Sequence, residues 1–465
     1  MPKRVKAQPL GGFYMKLTLI KPNIGRREHS LYVDEARMEP LQLGILAALT
    51  PDDVEVVMYD DRMEQIPYDE PTDIVAITVE TFTARRAYEI SEEFRKRGVK
   101  TVMGGMHAML IPDEVAEHCD CVIIGDAEPV WKEMIEDFRR GELKPRYTAV
   151  QPTCPQINVI TRRDIFEGKG YLPITLLQFS RGCSHRCSFC ASSAYFKAHH
   201  YCRPVEDVIK EIKSQKRKLL FFVDDNIVCN RQRAKELFRA LIPLKIHWVS
   251  QGSMDMLEND ELMELMVKSG CLGLVIGFES ISPQCISEMN KNTNKKASGE
   301  MYAAEIEKLR KWGLQTWAAF TVGHDGDTYE SIKATCDFAI KNKFTFAAFN
   351  ILMPYPNTPL YEKMEREGRL LYGGKWWLDE SYRFNYAAIV PKNMTADELT
   401  EVSFDCRKRF NSPMSIFTRA FEFRTNMRTP YRFGTYLVYN PLFRKEVFKK
   451  QGMRFGLNSD ENKEK

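Results

Sequence analysis

Residues 179–193 read FSRGCSHRCSFCASS, placing Cys183, Cys187 and Cys190 at C-x3-C-x2-C spacing directly behind the apolar run ITLLQFS (174–180). Three thiols within eight residues form a ligand set rather than a packing arrangement. A structural zinc site takes four ligands, and no second CxxC-type pair follows; His185, His199 and His200 would have to be recruited without motif spacing. Three thiolates suit a [4Fe–4S] cluster, with one iron left open to a substrate-like ligand. The other nine cysteines, Cys119, Cys121, Cys154, Cys202, Cys229, Cys271, Cys285, Cys336 and Cys406, are scattered, mostly among apolar neighbours, and read as small core hydrophobes. The N-terminus lacks a secretory signal pattern, and no stretch approaches ~18 uninterrupted apolar residues. A reducing, cytoplasmic location is therefore expected, without disulfides.

Outward from the cysteines, strand-like runs alternate with helix-like ones. ITLLQFS is followed by KLLFFVDD (218–225), IHWVSQG (246–252), LGLVIGFES (272–280), TWAAFTVG (316–323) and FAAFNIL (346–352), with amphipathic stretches such as VEDVIKEIKSQ and RQRAKELFRAL between them. Six strand–helix repeats imply a parallel barrel or partial barrel with its chemistry at the C-terminal strand ends. An earlier series, KLTLIKP (16–22), VEVVMYD (54–60), DIVAITV (73–79), KTVMGG (100–105) and CVIIGD (121–126), reads as buried parallel strands of an open, doubly wound α/β unit. The expected division is an α/β domain over 1–144, a linker over 145–172, a barrel over 173–390 and a helical, basic C-terminal domain over 391–465. Across the 465 residues, 67 Lys and Arg against 63 Asp and Glu leave a net charge of +4, too balanced for a nucleic-acid binder by bulk charge.

The cysteine spacing, with aromatic Phe189 just before the third cysteine, resembles the signature of the radical S-adenosylmethionine (SAM) enzymes. That resemblance implies a partial (β/α)6 TIM barrel in which the amino and carboxylate groups of SAM chelate the open iron, and an electron from the cluster cleaves SAM to a 5′-deoxyadenosyl radical. On the matching positions, Gly277, Glu279 and Ser280 of GFES would receive the SAM amino group; a helix N-cap or a surface ion pair is the plain alternative for Glu279. Ser250 and Gln251 are candidate ribose or carboxylate contacts, or ordinary strand-end residues. The carboxylates of VDDN (223–226) would meet a substrate or SAM hydroxyls, or cap the next helix through Asp225 or Asn226. In TVGHDGDT (321–328) the backbone at Gly323 would approach the adenine, and His324 is a proton donor or a structural histidine.

An α/β unit placed directly before such a barrel looks like the Rossmann-like cobalamin-binding domain of one subclass of that family. EPLQLGILAAL (39–49), TVETFTARRAYEI (78–90), VMGGMHAMLIPDE (102–114) and VIIGDAEPVW (122–131) fall where that subclass has its loops, giving Glu80, Thr81, Thr83, Gly104, Gly105, His107, Gly125 and Glu128 as candidate cobalamin contacts. The classical D-x-H-x-x-G motif would align with Asp60–Gln65, and Arg62 stands where a cobalt-ligating histidine would be. An always-protonated guanidinium cannot ligate cobalt, so cobalamin binds without a histidine axial ligand or the domain has lost it; binding is favoured. A dinucleotide site lacks its G-x-G-x-x-G, and a methylthiotransferase domain lacks its extra cysteines.

The resemblance implies a cobalamin-dependent radical SAM C-methyltransferase acting on an unactivated carbon, with a peptide or protein side chain such as glutamine as the weakly favoured substrate and a low-potential donor such as ferredoxin or flavodoxin as redox partner. The alternatives are radical cyclisation, hydroxylation or rearrangement of a tetrapyrrole, lipid or natural product, and a non-catalytic iron–sulfur or corrinoid scaffold. Trp376, Trp377, Tyr382 and Phe384 read as a substrate lid or, in the favoured reading, as packing between barrel and C-terminal helices. The basic tail, with Arg424, Arg428, Arg432, Arg444, Lys445, Lys449 and Lys450, reads first as a solvated face; as a docking site it would suit an acidic protein surface, a phosphorylated substrate or, less favoured, an anionic membrane.

Overall fold

The computed structural model describes residues 15–25, 37–149, 159–294 and 299–456, so Cys154 and the SDENKEK tail lie outside the described residues. The N-terminal unit contains β1 (Met15–Lys21), α1 (Leu41–Leu49), β2 (Val54–Asp60), β3 (Ile74–Thr78), α2 (Ala84–Lys96), β4 (Lys100–Gly104), α3 (Met106–Leu110), α4 (Pro112–Glu117), β5 (Cys121–Ile124), α5 (Glu128–Arg139) and β6 (Arg146–Thr148). Its strands are all parallel in the order β2-β1-β3-β4-β5-β6. Chain order reverses between β1 and β3, which opens the crevice expected of a flavodoxin-like sheet at its carboxyl edge. Buried Leu17, Leu19, Ile74 and Ala76 pack with Leu43, Trp131 and Met134 on one face of the sheet. Val75, Ile77 and Met103 pack with Ala87, Ile90 and Phe94 of α2 on the other, as period-2 strands buried on both faces require. Residues 146–148, in the stretch read as linker, add the sixth strand.

The second unit runs through β7 (Thr175–Leu177), β8 (Ser180–Gly182), α6 (Ala191–Tyr195), β9 (His200–Cys202), α7 (Val205–Ser214), β10 (Leu219–Phe222), α8 (Arg231–Leu241), β11 (His247–Gly252), α9 (Asp260–Lys268), β12 (Cys271–Glu279), α10 (Pro283–Glu288), α11 (Gly299–Trp312), β13 (Gln315–Val322), α12 (Tyr329–Lys341), β14 (Phe346–Ile351) and α13 (Pro359–Arg366). β7, β10, β11, β12, β13 and β14 pair in chain order, all parallel, and β7 and β14 are the free edges of an open barrel. β8 and β9 form a separate antiparallel pair that carries the cysteine loop. Leu274, Ile276 and Phe278 of β12 belong to the core under the outer helices; strand alternation then turns Gly273, Val275 and Gly277 toward the lumen.

The C-terminal helices are α14 (Ala396–Phe410), α15 (Pro413–Ala420) and α16 (Pro430–Lys450). Thr395 and Glu398 close a capping box on α14, a start signal readable from T-x-x-E. α16 lies across the amino ends of the barrel strands: its Tyr436, Tyr439 and Phe443, with Phe221, Val249, Val275, Trp317 and Phe346, line an apolar cavity of about 790 Å³. Among the described residues no helix is long and apolar enough to cross a membrane.

The aromatic segment corrects its favoured reading. Trp376, Trp377 and Tyr382 are buried, and with Phe384 and Phe455 they pack against Ile77, Val79, Ala84 and Phe82 of the N-terminal unit rather than under the C-terminal helices. Trp376 and Phe82 have ring centroids 5.0 Å apart, and the Trp377 indole donates to Glu114 Oε1 at 2.8 Å. These rings are the cement between the two units.

Candidate functional site

The cysteine loop is shaped by glycine and by carboxylates from the neighbouring strand. Gly182 has φ +78°, and a Cβ there would lie 2.1 Å from the His199 carbonyl, so only glycine admits the turn into Cys183. Asp224, fully buried, accepts the Phe179 amide at 3.1 Å, the Ser180 hydroxyl at 2.5 Å and the Ser180 amide. Asp225 accepts the Gly182 amide at 2.8 Å and the Ser192 hydroxyl at 2.5 Å, bracketing the three cysteines. Burial pushes the Asp224 carboxyl up to about 7 against those donors. The two carboxylates of VDDN therefore bind the loop and do not cap the next helix; α8 is capped by Asn230. Cys183, Cys187 and Cys190 are half-buried free thiols, a donor set that fits a cluster held on one loop with one iron left open.

Two residues outside the motif reach this loop. Lys291 sits 2.5 Å from Glu279 Oε1; burial works against its charge, yet Glu279 and the nearby Cys187 and Cys190 raise its pKa. Cys187 is pushed up to about 11 by burial, with Lys291 opposing. Cys229, expected as a core thiol, is instead half-buried, hydrogen-bonded to Cys183 and 3.3 Å from the Ser184 amide. Cys202 is also half-buried, while Cys119, Cys121, Cys271, Cys285, Cys336 and Cys406 are buried as expected.

At the end of β12 the register shifts between Gly277 and Glu279, and Glu279 takes φ +62°, a strained conformation for a side-chain-bearing residue. A Cβ on Gly277 would lie 2.2 Å from Glu279 Oε1 and 2.5 Å from Lys291 Nζ, so glycine makes room for this ion pair. Thr321 bridges Glu279 Oε2 at 3.3 Å and His324 Nε2 at 3.0 Å. His324 is buried, its pKa lowered by desolvation, and with Phe189, Met289, Asp325 and Leu360 it lines a cavity of about 420 Å³. Gln251 is half-buried at the end of β11.

Three further candidates have contacts of their own within the chain. Ser250 is fully buried with its hydroxyl donated to the Phe222 carbonyl at 2.7 Å. The Ser280 hydroxyl accepts the Ser282 amide at 3.1 Å in the turn before α10. Gly323 is glycine because of φ +101° and because Leu399 of α14 would stand 2.6 Å from a Cβ.

In the N-terminal unit, Gly104, Gly105, Gly125 and Glu128 line a cavity of about 700 Å³ with Leu43, Thr78, Ile123 and Trp131, at the carboxyl ends of β3, β4 and β5. A Cβ on Gly105 would lie 2.8 Å from the Val79 carbonyl, so the strand-to-helix turn is open only to glycine. The second unit closes the cavity with Arg181 and Tyr195. Arg181 pairs with Glu128 and, at 3.4 Å, with Asp126, whose Oδ1 accepts the Tyr195 hydroxyl at 3.0 Å. The Glu128 carboxylate thus faces Arg181.

Glu80, Thr81, Thr83 and His107 do not line that cavity. Glu80 and Thr83 form a capping box ahead of α2, and Glu80 takes Lys21 at 2.5 Å. His107 is fully buried between Thr81 Oγ1 at 3.2 Å and Glu114 Oε1 at 3.4 Å, its pKa lowered by desolvation. Arg62 also lies away from it: at the end of edge strand β2 it holds Asp60 at 2.7 Å and the Met38 carbonyl at 2.8 Å. The cavity sits over β3–β5, and Arg62 is not among the residues that line it.

Residues 177–339 match the radical SAM superfamily. The bacteriochlorophyllide d C-12(1)-methyltransferase of Chlorobaculum tepidum is 31% identical over 83% of this chain and 85% of its own length. This chain belongs to the radical SAM superfamily. A second methyltransferase of that organism, acting at C-8(2) of bacteriochlorophyllide d, is 30% identical over 72% of this chain and 78% of its own. Among solved structures, TsrM from Kitasatospora setae, with cobalamin and a [4Fe–4S] cluster bound, superposes with a TM-score of 0.61 at 17% identity over 76% of this chain and 75% of its own. OxsB, with aqua-cobalamin and SAM bound, gives 0.63 at 13% identity over 94% and 72%. Both likenesses are of fold, over those shares of the chain. Membership makes the chain an enzyme whose superfamily chemistry rests on a [4Fe–4S] cluster and SAM.

Proposed function

We propose that this radical SAM enzyme is a cobalamin-dependent methyltransferase that methylates an unactivated carbon of a largely apolar substrate. The observation that carries the reading is the position of Arg181 and Tyr195. Arg181 stands two residues before Cys183 and Tyr195 five after Cys190; both close the N-terminal cavity. One loop therefore meets both a three-thiol site and a glycine-edged cavity of about 700 Å³ at the carboxyl ends of β3, β4 and β5. Cys183, Cys187 and Cys190 would hold the cluster, and Glu279 would accept the SAM ammonium with Thr321 steadying its second oxygen. Lys291, paired with Glu279, would balance the thiolates. Gly104, Gly105 and Gly125 would let cobalamin approach the backbone. Bound there, the cluster with SAM supplies an organic radical and cobalamin a methyl group. The protein's residues would hold the two on either side of Arg181 and Tyr195 and exclude water.

The lumen favours an apolar substrate over the peptide side chain suggested at first. Its lower half, lined by Leu219, Phe221, Val249, Val275, Trp317 and Phe346, carries no charged side chain. Polar Gln251 stands at the carboxyl end of β11, as for a substrate with one polar end. Two relatives are named for methylating a bacteriochlorophyllide and another, at 22% identity, is a hopanoid C-2 methylase.

Anaerobic reconstitution followed by iron, sulfide and corrin analysis tests the cofactors. The expected result is one cluster and one corrin per chain, and conversion of an apolar acceptor with replacement of hydrogen by methyl. A protein that holds iron but refuses cobalamin removes the methyltransferase reading.

A further inference from the structure

The solvent-facing stripe of α16 reads Tyr431, Gly434, Leu437, Val438 and Pro441, all exposed and all without charge. A surface helix ordinarily turns charged side chains outward; here Leu437 is 50% and Val438 62% exposed. α15 lies against α16, with the Tyr436 hydroxyl donating to the Ile416 carbonyl at 2.7 Å. It repeats the pattern with Met414 at 70% and Phe417 at 62%, followed by Phe421 and Phe423. Among the described residues, eleven large apolar side chains are exposed, and seven of them fall between 414 and 438. That density separates a docking face from scattered surface hydrophobes.

Charge accompanies the patch. Residues 411–456 hold nine Arg and Lys against two acidic residues, in a chain whose total is only +4. Both acidic residues are engaged, Glu422 with Arg310 and Arg424, and Glu446 with Lys450. Exposed Arg428 and Lys445 flank the apolar stripe, together with Arg424, which is paired with Glu307 at 2.8 Å and Glu422 at 3.4 Å. The inner side of the same helix, through Tyr439 and Phe443, walls the apolar cavity in the barrel.

We propose that the α15–α16 face docks on the surface of an anionic lipid bilayer, with Met414, Phe417, Leu437 and Val438 in the headgroup–acyl boundary and the flanking cations among the headgroups. Apolar side chains ringed by Lys and Arg without free carboxylates complement that surface. This docking rests on the apolar-substrate reading only for its benefit, since one helix then stands between the lipid phase and the barrel cavity; binding to vesicles is measured without turnover.

Flotation of the full chain with sealed phosphatidylcholine vesicles, with and without phosphatidylglycerol, is the test. Wild type floats with the anionic vesicles, less so as salt rises. The double variant Leu437→Glu, Val438→Glu and the single variant Phe417→Glu float roughly tenfold less, because a charge in that boundary opposes insertion. Val438→Cys carrying an environment-sensitive fluorophore shifts to the blue on anionic vesicles, which reports contact without a destabilising charge. Absence of flotation, flotation unchanged in the variants, or no spectral shift overturns the proposal. So does a wild-type dimer in sedimentation that the Glu variants split, which would make a second copy the occupant.

Discussion

Replacing Lys291 with methionine separates what its ammonium does for the fold from what it does for the ligand. The Glu279–Lys291 contact is 2.5 Å, with side chains only 8% and 15% exposed. At an effective dielectric of 20 the attraction is about 7 kcal/mol. Methionine also relieves the desolvation of the lysine, so the net loss on leaving Glu279 alone is about 3–5 kcal/mol. At about 2–4 °C per kcal/mol, the melting midpoint of the barrel falls by roughly 6–20 °C. S-adenosylmethionine brings its own ammonium, so it returns the missing charge and raises the midpoint more in Lys291→Met than in wild type. Adding Glu279→Gln to the variant recovers much of the loss and removes the extra gain from the ligand, because no buried carboxylate is left unpaired. Anaerobic melting of cluster-reconstituted protein, with and without SAM, measures all three proteins. A Lys291→Met protein that melts with wild type, or whose gain from SAM is no larger, refutes Glu279 as the ammonium acceptor.

Asp224, pushed up from 3.8 to about 7 by burial, keeps a proton that the unfolded chain releases. Its contribution is therefore present below about pH 4 and lost as pH rises through 7, a swing of about 4 kcal/mol. Asp224→Asn removes this slope from urea unfolding between pH 4 and 8 while losing a fixed ~1–3 kcal/mol for an unmatched donor; an unchanged slope contradicts the assignment. Gly277→Ala brings a Cβ within 2.2 Å of Glu279 Oε1, and SAM binding by equilibrium dialysis should weaken about tenfold, or 1.4 kcal/mol. Arg181→Met leaves Asp126 and Glu128 without their guanidinium. It should destabilise the chain by about 3–5 kcal/mol and lower the cobalamin retained after gel filtration while iron content stays near wild type; parallel loss of iron would place Arg181 with the cluster alone.

What the sequence discloses and what it hides divide along the range of the interactions involved. The parallel strands are legible because apolar runs bounded by Gly, Pro and Asp are local facts, and the cysteine spacing is local too. Side-chain direction is not. Ser250 and Gln251 are neighbours on one strand, yet strand alternation sends one hydroxyl into the sheet edge against Phe222 and leaves the other residue half-buried. Glu80, Thr81, Thr83 and His107 sit in a loop of the right place and polarity, but local capping and the Glu114 carboxylate claim them. Trp376 and Trp377 were legible as packing residues but not as to what they pack on, since their partners lie some three hundred positions earlier.

Lys291 and Arg181 show why the remaining functional residues escape a motif. Lys291 reaches Glu279 only because a short helix, α10, and a turn fold it back over the strand end, and nothing in KNTNK marks that return. Arg181 did carry a signal, being two residues from Cys183. Its partners, Asp126 and Glu128, are on the other unit, so the pairing becomes readable once the two sheets face each other. The consequence is mechanical. A charge network of half-buried Arg181 and buried Tyr195 links the loop that would hold the cluster to the cavity that would hold the corrin. A displacement of either unit would therefore have to break ion pairs of about 3–5 kcal/mol, so the two sites are held in register by the residues that flank the cysteines.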